Sequence, residues 1–156
     1  MPMTPEISAR LADLGLVLPP APAVAGSYVP FVRTGDLLHV SGQVAADDTG
    51  FILGKLGDTM DVQQGAAAAQ RCALSLLAQV NAALDGDLSR LIRVVKLGGF
   101  VNSTPDFTDQ PKVINGASDL LAALLGDAAP HARSAVGVAA LPFGVAVEID
   151  GIFQIT

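Results

Sequence analysis

The pattern of apolar and polar positions divides the first part of the chain into short alternating segments. Residues 28–33 and 37–44 read as strands, and the Thr-Gly-Asp sequence at 34–36 between them favours a turn. A second turn signal, Asp-Asp-Thr-Gly, occupies 47–50. The sequence therefore predicts a β-hairpin followed by a further turn.

The period of the pattern changes after Met60. From Val62 to Leu84 the apolar residues recur every three or four positions, which is typical of a helix of about six turns. Asp61, with Gln64 three residues later, is a candidate capping box at the start of this helix. The apolar stripe is mostly alanine, so we expect this helix to lie close against a sheet.

The second half of the chain repeats the alternation of strand and helix. A strand is predicted at about 91–101, and a long helix from the Ser-Thr-Pro-Asp sequence at 103–106 to Gly126. Two buried strands follow within 130–150, joined at Leu141-Pro142. The order β-β-α-β-α-β-β predicts an α+β fold, with one mixed sheet covered on one face by two helices.

The N-terminal segment has a different character. Thr4 is a candidate N-cap with Pro5 in the first turn, and a short amphipathic helix is predicted to end at Gly15. Prolines at 19, 20, 22 and 30 predict an extended connector into the first strand. We therefore divide the chain into an N-terminal helix and connector, 1–27, and a main domain, 28–156.

The composition indicates that the protein must bury more apolar surface than one sheet and two helices can cover. Hydrophobic residues make up 51% of the 156 residues and charged residues only 15%, and the mean hydropathy is +0.49. No apolar run reaches the ~20 residues that a membrane helix needs. The pattern offers no third core helix for the second sheet face, so we expect another subunit's sheet to cover it.

Charge and cysteine content exclude some classes of partner. The net charge is −6 and the isoelectric point is about 4.6, while phosphate backbones are bound by clustered Lys and Arg. The nine basic residues are scattered, so no nucleic-acid partner is expected. Cys72 is the single cysteine and cannot form an internal disulfide. With no leader-like segment at the start, the expected location is the cytoplasm.

Two charged residues, Arg133 and Glu148, interrupt the apolar strands near the C-terminus. The planar guanidinium of Arg133 suits a carboxylate ligand, but the residue could equally form an ion pair with Glu148 or with an Asp at a subunit contact. The Glu148 carboxylate could accept a proton from water or bind an ammonium group. It could also be an edge-strand charge that discourages aggregation. The residues alone leave these alternatives open.

Other chemical motifs are absent or weak. The chain has no phosphate-binding glycine loop and no CxxC pair. His39 and His131 lack the spacing and acidic companions of a metal site, so no metal is expected. Cys72 lies in the alanine-rich helix and is interpreted as a small buried hydrophobe.

The segment ARSAVGVAALPFGVAVEID closely resembles the C-terminal signature of the Rid family, the YjgF-type reactive intermediate deaminases formerly called L-PSP endoribonucleases. HVSGQV in the second strand and FVNSTPDFTDQPKVINGA before the second helix extend the resemblance from about Tyr28 to the C-terminus. It implies a chorismate-mutase-like fold that assembles as a homotrimeric barrel, with three sites in clefts between subunits. That arrangement would cover the second face of the sheet.

The resemblance also implies an activity that needs no cofactor. Members of the deaminase branch hydrolyse an enamine or imine, such as 2-aminoacrylate, to a 2-keto acid and ammonia. Arg133 matches the arginine that grips the substrate carboxylate. Glu148 matches the glutamate that orients or activates water.

Four further positions match the family's cleft. Tyr28 corresponds to a tyrosine at the cleft edge, Gly42 to a glycine whose backbone approaches the substrate, and Asn115 to an asparagine on the second helix. Ala135 replaces a cysteine that is thought to act through its backbone carbonyl. The N-terminal helix and proline-rich connector depart from the family pattern and indicate a divergent branch whose substrate is bulkier or different.

Two other classes of function stay open at this point. The protein could be a regulatory trimer that binds a small carboxylate in the same clefts without catalysis. It could also be a ribonuclease, as the older family name suggests, although its acidic charge and lack of basic-aromatic patches argue against this.

Overall fold

A computed structural model describes residues 3–156 of the chain, with side chains from residue 5 onward. The helices are α1 (Met3–Asp13), α2 (Val62–Ala83) and α3 (Gln110–Leu125). The strands are β1 (Phe31–Thr34), β2 (Leu37–Val44), β3 (Ala46–Asp47), β4 (Gly50–Phe51), β5 (Leu91–Asn102), β6 (Ala132–Val138) and β7 (Val147–Ile155). The predicted order of the main elements is confirmed, with the small β3–β4 hairpin added at the second turn signal.

The main sheet has five strands in the order β1-β2-β7-β5-β6. All neighbouring pairs are antiparallel except β5 and β6, which are parallel because α3 connects them as a crossover. The last strand, β7, therefore lies in the middle of the sheet, and β6 lies at one edge. A bulge interrupts the pairing of β2 with β7 between Val40 and Gln43.

Helix α2 forms for the reasons that its sequence indicates. Asp61 accepts a hydrogen bond from the backbone N–H of Gln64 at 2.8 Å, and the Gln64 side chain accepts one from the Asp61 N–H at 3.0 Å. This is the predicted capping box. The small residues of the helix, such as Ala69 and Ala73, are fully buried and let α2 pack closely.

The predicted start of the second long helix is wrong. Helix α3 begins at Gln110, and the Ser-Thr-Pro-Asp sequence at 103–106 instead forms a turn. In this turn the hydroxyl of Thr104 donates to the Asp106 carboxylate at 2.7 Å, and the N–H of Phe107 donates to the Thr104 carbonyl at 3.2 Å. The helix starts only after this turn, with Pro111 in its first turn.

The first strand is also shorter than predicted, because Pro30 has no N–H to donate and β1 begins at Phe31. Helix α1 ends at Asp13, near the predicted stop, and the capping role predicted for Thr4 lies outside the described side chains. This helix is part of the packed core. Ile7 and Leu11 are buried in the same core cluster as the sheet and the two long helices.

The two faces of the sheet differ in their cover. Along β7 the residues at odd positions, from Val147 to Ile155, are buried beneath the helices, and those between them are half-buried. Half-buried Glu148 and Asp150 alternate with the buried positions and lie on the opposite, open face. None of the helices described within residues 3–156 is both long and apolar enough to cross a membrane.

Candidate functional site

Arg133 is the second residue of the edge strand β6, and its guanidinium reaches towards α3. Its Nη1 donates to Asn115 Oδ1 at 2.8 Å and to Ser118 Oγ at 3.1 Å, and its Nη2 donates to the Pro111 carbonyl at 3.3 Å. All three acceptors are uncharged. The side chain is therefore oriented by hydrogen bonds while its positive charge has no carboxylate partner among the described residues.

The acceptors form one stripe on α3. Asn115 and Ser118 are three residues apart, so both project from the same side of the helix. Ser118 was not among the predicted site residues, although its spacing from Asn115 was the signal that could have found it. The Ser118 hydroxyl also lies 3.0 Å from Nε2 of His131, whose Nδ1 lies 2.7 Å from the Ala129 carbonyl. An imidazole that donates from Nδ1 accepts at Nε2, so Ser118 donates to His131 and accepts from Arg133.

Glu148 lies near the start of β7, a central strand. The sequence alternative of an edge-strand charge is therefore wrong, because β2 and β5 flank this strand on both sides. Burial raises the pKa of the Glu148 carboxyl, and the negative charge of Asp150 on the same face raises it further. The protonated form of Glu148 is thus favoured more than in water.

Gly42 and Tyr28 lie beside this carboxylate. A Cβ on Gly42 would come within 3.0 Å of Cδ and Oε2 of Glu148, so the missing side chain leaves the space that the carboxylate occupies. Gly42 falls within the bulge of β2. Tyr28 is half-exposed and lines the same cavity as Gly42 and Glu148.

The strand register separates Arg133 from Glu148. Arg133 pairs with Leu97 of β5, which is fully buried beneath the helices, whereas Glu148 pairs with Phe100 on the other side of the same strand. Paired residues in a sheet project to the same face. The two charged side chains of one chain therefore project from opposite faces, and the alternative that they form an intrachain ion pair is wrong.

Two other residues considered from the sequence, Ala135 and Cys72, pack against or within the core. Ala135 lies on β6 two residues after Arg133 and packs against the core. Cys72 is fully buried, and burial raises the pKa of its thiol, as expected for a small hydrophobe. Across residues 3–156, no group of three or more His, Cys, Asp or Glu side chains is placed to hold a metal ion.

Comparison with known proteins places this geometry in a family. The family model described as Endoribonuclease L-PSP matches residues 19–155. Protein TCP17 of Trypanosoma cruzi is 51% identical over 152 residues, which cover 96% of this chain and 94% of that protein.

Solved structures agree over most of the chain. A protein of unknown function from Agrobacterium tumefaciens superimposes with a TM-score of 0.92 at 48% identity, covering 99% of this chain and 96% of that chain. The structure of TdcF from Escherichia coli with bound serine gives a TM-score of 0.60 at 26% identity, covering 87% of this chain and 94% of that chain. The chain belongs to the Endoribonuclease L-PSP family, the Rid or YjgF-type proteins that its strand and helix signatures resemble.

Proposed function

We propose that the protein hydrolyses reactive enamines or imines of 2-amino acids, such as 2-aminoacrylate, to 2-keto acids and ammonia. The observation that carries this proposal is the pair of half-sites on opposite faces of one chain. One holds an oriented cation without a counter-charge, at Arg133, and the other a carboxylate with a raised pKa, at Glu148. Together they match the charge pattern of a small anionic imine and its reaction with water.

Arg133 is the binding group in this proposal. A guanidinium and a carboxylate can form two parallel charge-assisted hydrogen bonds, each stronger than a neutral one. Asn115 and Ser118 already fix the side chain, so little of its conformational freedom is lost when an anion arrives. The serine bound in the related TdcF structure carries a carboxylate of the same kind.

Glu148 is the proton-transfer group. An enamine first gains a proton on carbon to become an imine, and water then adds to the C=N carbon. When the nitrogen leaves as ammonia, the carbonyl of the keto acid remains. These steps need a group that alternates between acid and base, and a carboxyl whose pKa is raised holds its proton more readily than a free carboxyl and can still release it.

A second subunit is required to bring the half-sites together. Because Arg133 and Glu148 of one chain project from opposite faces of the sheet, a complete site needs Arg133 from one subunit and Glu148 from a neighbour. We propose a homotrimer with the sites in the clefts between its subunits. Such an assembly also covers the open face of the sheet.

Subunit mixing tests this arrangement directly. Arg133→Ala and Glu148→Gln should each lower imine hydrolysis to about 1% or less of wild type. When the two variants are co-expressed with different tags and hybrid trimers are isolated, each hybrid trimer has about one intact site in three, and about a third of wild-type activity should return. Ammonia release is the measurement.

The control mixes either variant with the double variant Arg133→Ala/Glu148→Gln, which should restore nothing. Hybrid trimers without recovered activity would contradict a site shared between subunits, and a monomer mass in light scattering at micromolar concentration would contradict the trimer. Binding of a keto acid without any turnover in the wild-type protein would favour a regulatory trimer over an enzyme.

A further inference from the structure

A cavity of about 350 Å³ opens beside Glu148. Val24 of the proline-rich connector and Tyr28 just after it line this cavity, together with Phe51 and Phe143. Small-molecule sites have volumes of roughly 300–1,000 Å³ and are lined mostly by apolar and aromatic side chains. The size and lining of this cavity therefore match a ligand site.

The two phenylalanines are held at the cavity without support from the core. Their rings stack with centroids 4.8 Å apart and planes 12° apart, although the side chains are 50% and 59% exposed. They come from distant parts of the chain, β4 and the turn before β7. A pair of rings stacked at the surface provides a flat apolar wall.

Phe143 is kept in a backbone conformation that its side chain disfavours. It has φ 61° and ψ 6°, and the next residue, Gly144, has φ 75°. The N–H of Val145 closes the turn on the carbonyl of Pro142 at 3.3 Å. Two central residues with positive φ are the arrangement of a type I′ turn, where Gly, Asn or Asp is preferred. Strain of this kind persists mostly where a side chain has a functional position to hold.

The amide side chains at the cavity are already engaged with the chain. Gln79 Nε2 donates to the Pro22 carbonyl at 2.7 Å and lies 3.4 Å from Gln43 Oε1, and Gln43 Nε2 donates to the Ser41 carbonyl at 2.9 Å. Every buried side-chain nitrogen or oxygen that the structure describes has a partner. Apart from Glu148 and the Tyr28 hydroxyl, the side chains at the cavity thus offer little to a polar ligand group, which favours an apolar occupant.

We infer that this cavity receives the substituent of the imine substrate and selects a large apolar one, a branched alkyl group or an aromatic ring, over a methyl group. The inference rests on the proposed function, since it assumes that the reacting carbon lies at Glu148. Phe51, Phe143, Val24 and Tyr28 determine this specificity. One methylene in an apolar pocket changes kcat/KM by roughly tenfold or more, so a substituent with several more carbons has a large advantage.

The test compares the imines that an amino-acid oxidase generates in the assay mixture from alanine, leucine and phenylalanine. Semicarbazide reacts with any imine that the protein has not hydrolysed. We expect kcat/KM for the leucine- and phenylalanine-derived imines to exceed that for the alanine-derived imine by about tenfold or more. Phe51→Ala should reduce this preference by about tenfold, because the rates for the two large substituents fall more than the rate for the alanine-derived imine.

A second variant separates loss of the wall from loss of the fold. Phe143→Gly removes the ring and relieves the positive φ, so it should fold normally and still lose the preference. The control is Val17→Ala, which shortens a 78% exposed apolar side chain away from the cavity. Equal kcat/KM for all three imines in the wild type, or an unchanged preference in Phe51→Ala and Phe143→Gly, overturns the inference.

Binding of the products distinguishes this inference from the proposed function. Calorimetry compares 4-methyl-2-oxopentanoate with pyruvate on the wild type and Phe51→Ala. If no imine is hydrolysed but the larger keto acid binds more tightly in a Phe51-dependent way, the deamination proposal fails and the pocket assignment holds. If all imines are hydrolysed without preference and the keto acids bind alike, the pocket assignment fails and deamination holds.

Discussion

The uncharged neighbours of Arg133 decide what this residue can do. An amide oxygen, a hydroxyl and a backbone carbonyl hold the guanidinium in place, but none of them neutralises it. Had a carboxylate taken their place, an arriving anion would have had to displace it. Similarly, the Glu148 carboxylate occupies the space left by the missing side chain of Gly42. No cation forms an ion pair with it among the described residues. In each half-site the charged side chain is therefore held in position, but no opposite charge neutralises it.

The space at Gly42 can be tested by filling it. The φ of Gly42 lies outside the positive region, so alanine fits the backbone, but its Cβ would lie 3.0 Å from the Glu148 carboxylate and push it aside by a few tenths of an ångström. We expect Gly42→Ala to change the free energy of unfolding by less than about 1 kcal/mol and to lower kcat by about tenfold or more. Denaturant unfolding and the ammonia assay provide the two measurements.

A double-mutant cycle controls for other effects at Gly42. If alanine acts by displacing Glu148, Gly42→Ala should have little further effect on the residual activity of Glu148→Gln. Wild-type kcat in Gly42→Ala would show that the carboxylate does not need its present position.

At the scale of elements, the proline-rich connector behaves as a fixed wall. It has no regular structure of its own, and three hydrogen bonds fix its course, one to Pro22 within it and two to Val29 and Pro30 just after it. The N–H of Ser41 donates to the Pro30 carbonyl at 2.9 Å and its hydroxyl to the Val29 carbonyl at 2.7 Å, while Gln79 holds Pro22. The connector, which the family model matches from residue 19 onward, therefore helps to shape the cavity.

Removing one attachment should loosen the connector selectively. Gln79→Met keeps the length of this buried side chain and removes its hydrogen bond to Pro22. A net hydrogen bond is worth about 1 kcal/mol, so amide hydrogen exchange within 19–27 should become roughly fivefold faster. Mass spectrometry of the exchanged peptides measures this, and Gln63→Met on the exposed side of α2 is the matched control. Faster exchange spread along α2 instead would mean that Gln79 supports the helix and not the connector.

Short sequence motifs predicted most of the helices and strands. Features that depend on contacts between distant residues could not be predicted. The capping box of α2 lies within four residues and could be seen in the sequence. The start of α3 could not, because Thr104-Pro105-Asp106 satisfies the rules for a turn as well as for a helix start. The separation of Arg133 from Glu148 depends on the registers of β5 with both β6 and β7. No spacing within one strand contains that information, so candidate residues could be named from the sequence but their arrangement could not.

At the scale of the whole molecule, the open sheet face combines apolar side chains with carboxylates. Val32 and Val136 are 55% and 45% exposed there, while Glu148 and Asp150 are half-buried. Burial raises the pKa of Asp150, although the backbone N–H of Gly98 and the charge of Lys96 oppose the shift. Two carboxylates with raised pKa values on one face oppose folding in their charged forms.

We therefore expect Asp150→Asn to raise the thermal stability of the protein in a pH-dependent way. A carboxyl with a raised pKa binds more protons in the folded state than in the unfolded state, so its contribution to stability falls as pH rises through the raised pKa. The variant should therefore have a higher Tm than wild type at pH 8. The difference should fade near pH 3.5, below the usual carboxyl pKa of about 3.9.

Thermal melts at one protein concentration measure both values, because the proposed trimer would make Tm depend on concentration. Asp48→Asn, in the exposed β3–β4 turn, should leave Tm nearly unchanged at both pH values. A lower Tm for Asp150→Asn at pH 8 would show that the carboxylate stabilises the assembled protein through an ion pair.

The central position of β7 has a consequence for how the protein is made. Strand β7 is the last of the five to be synthesised, yet it forms the ladders that join β2 to β5. Until it leaves the ribosome, the β1–β2 hairpin and the β5–β6 pair have no strand between them, and each has an unpaired edge open to other nascent chains. Pairing such as Leu37 with Gln154 spans about three quarters of the sequence and closes a long loop. The central pairing of the sheet therefore cannot form before β7 is available, and a chain interrupted before β7 loses the centre of its sheet and not an edge.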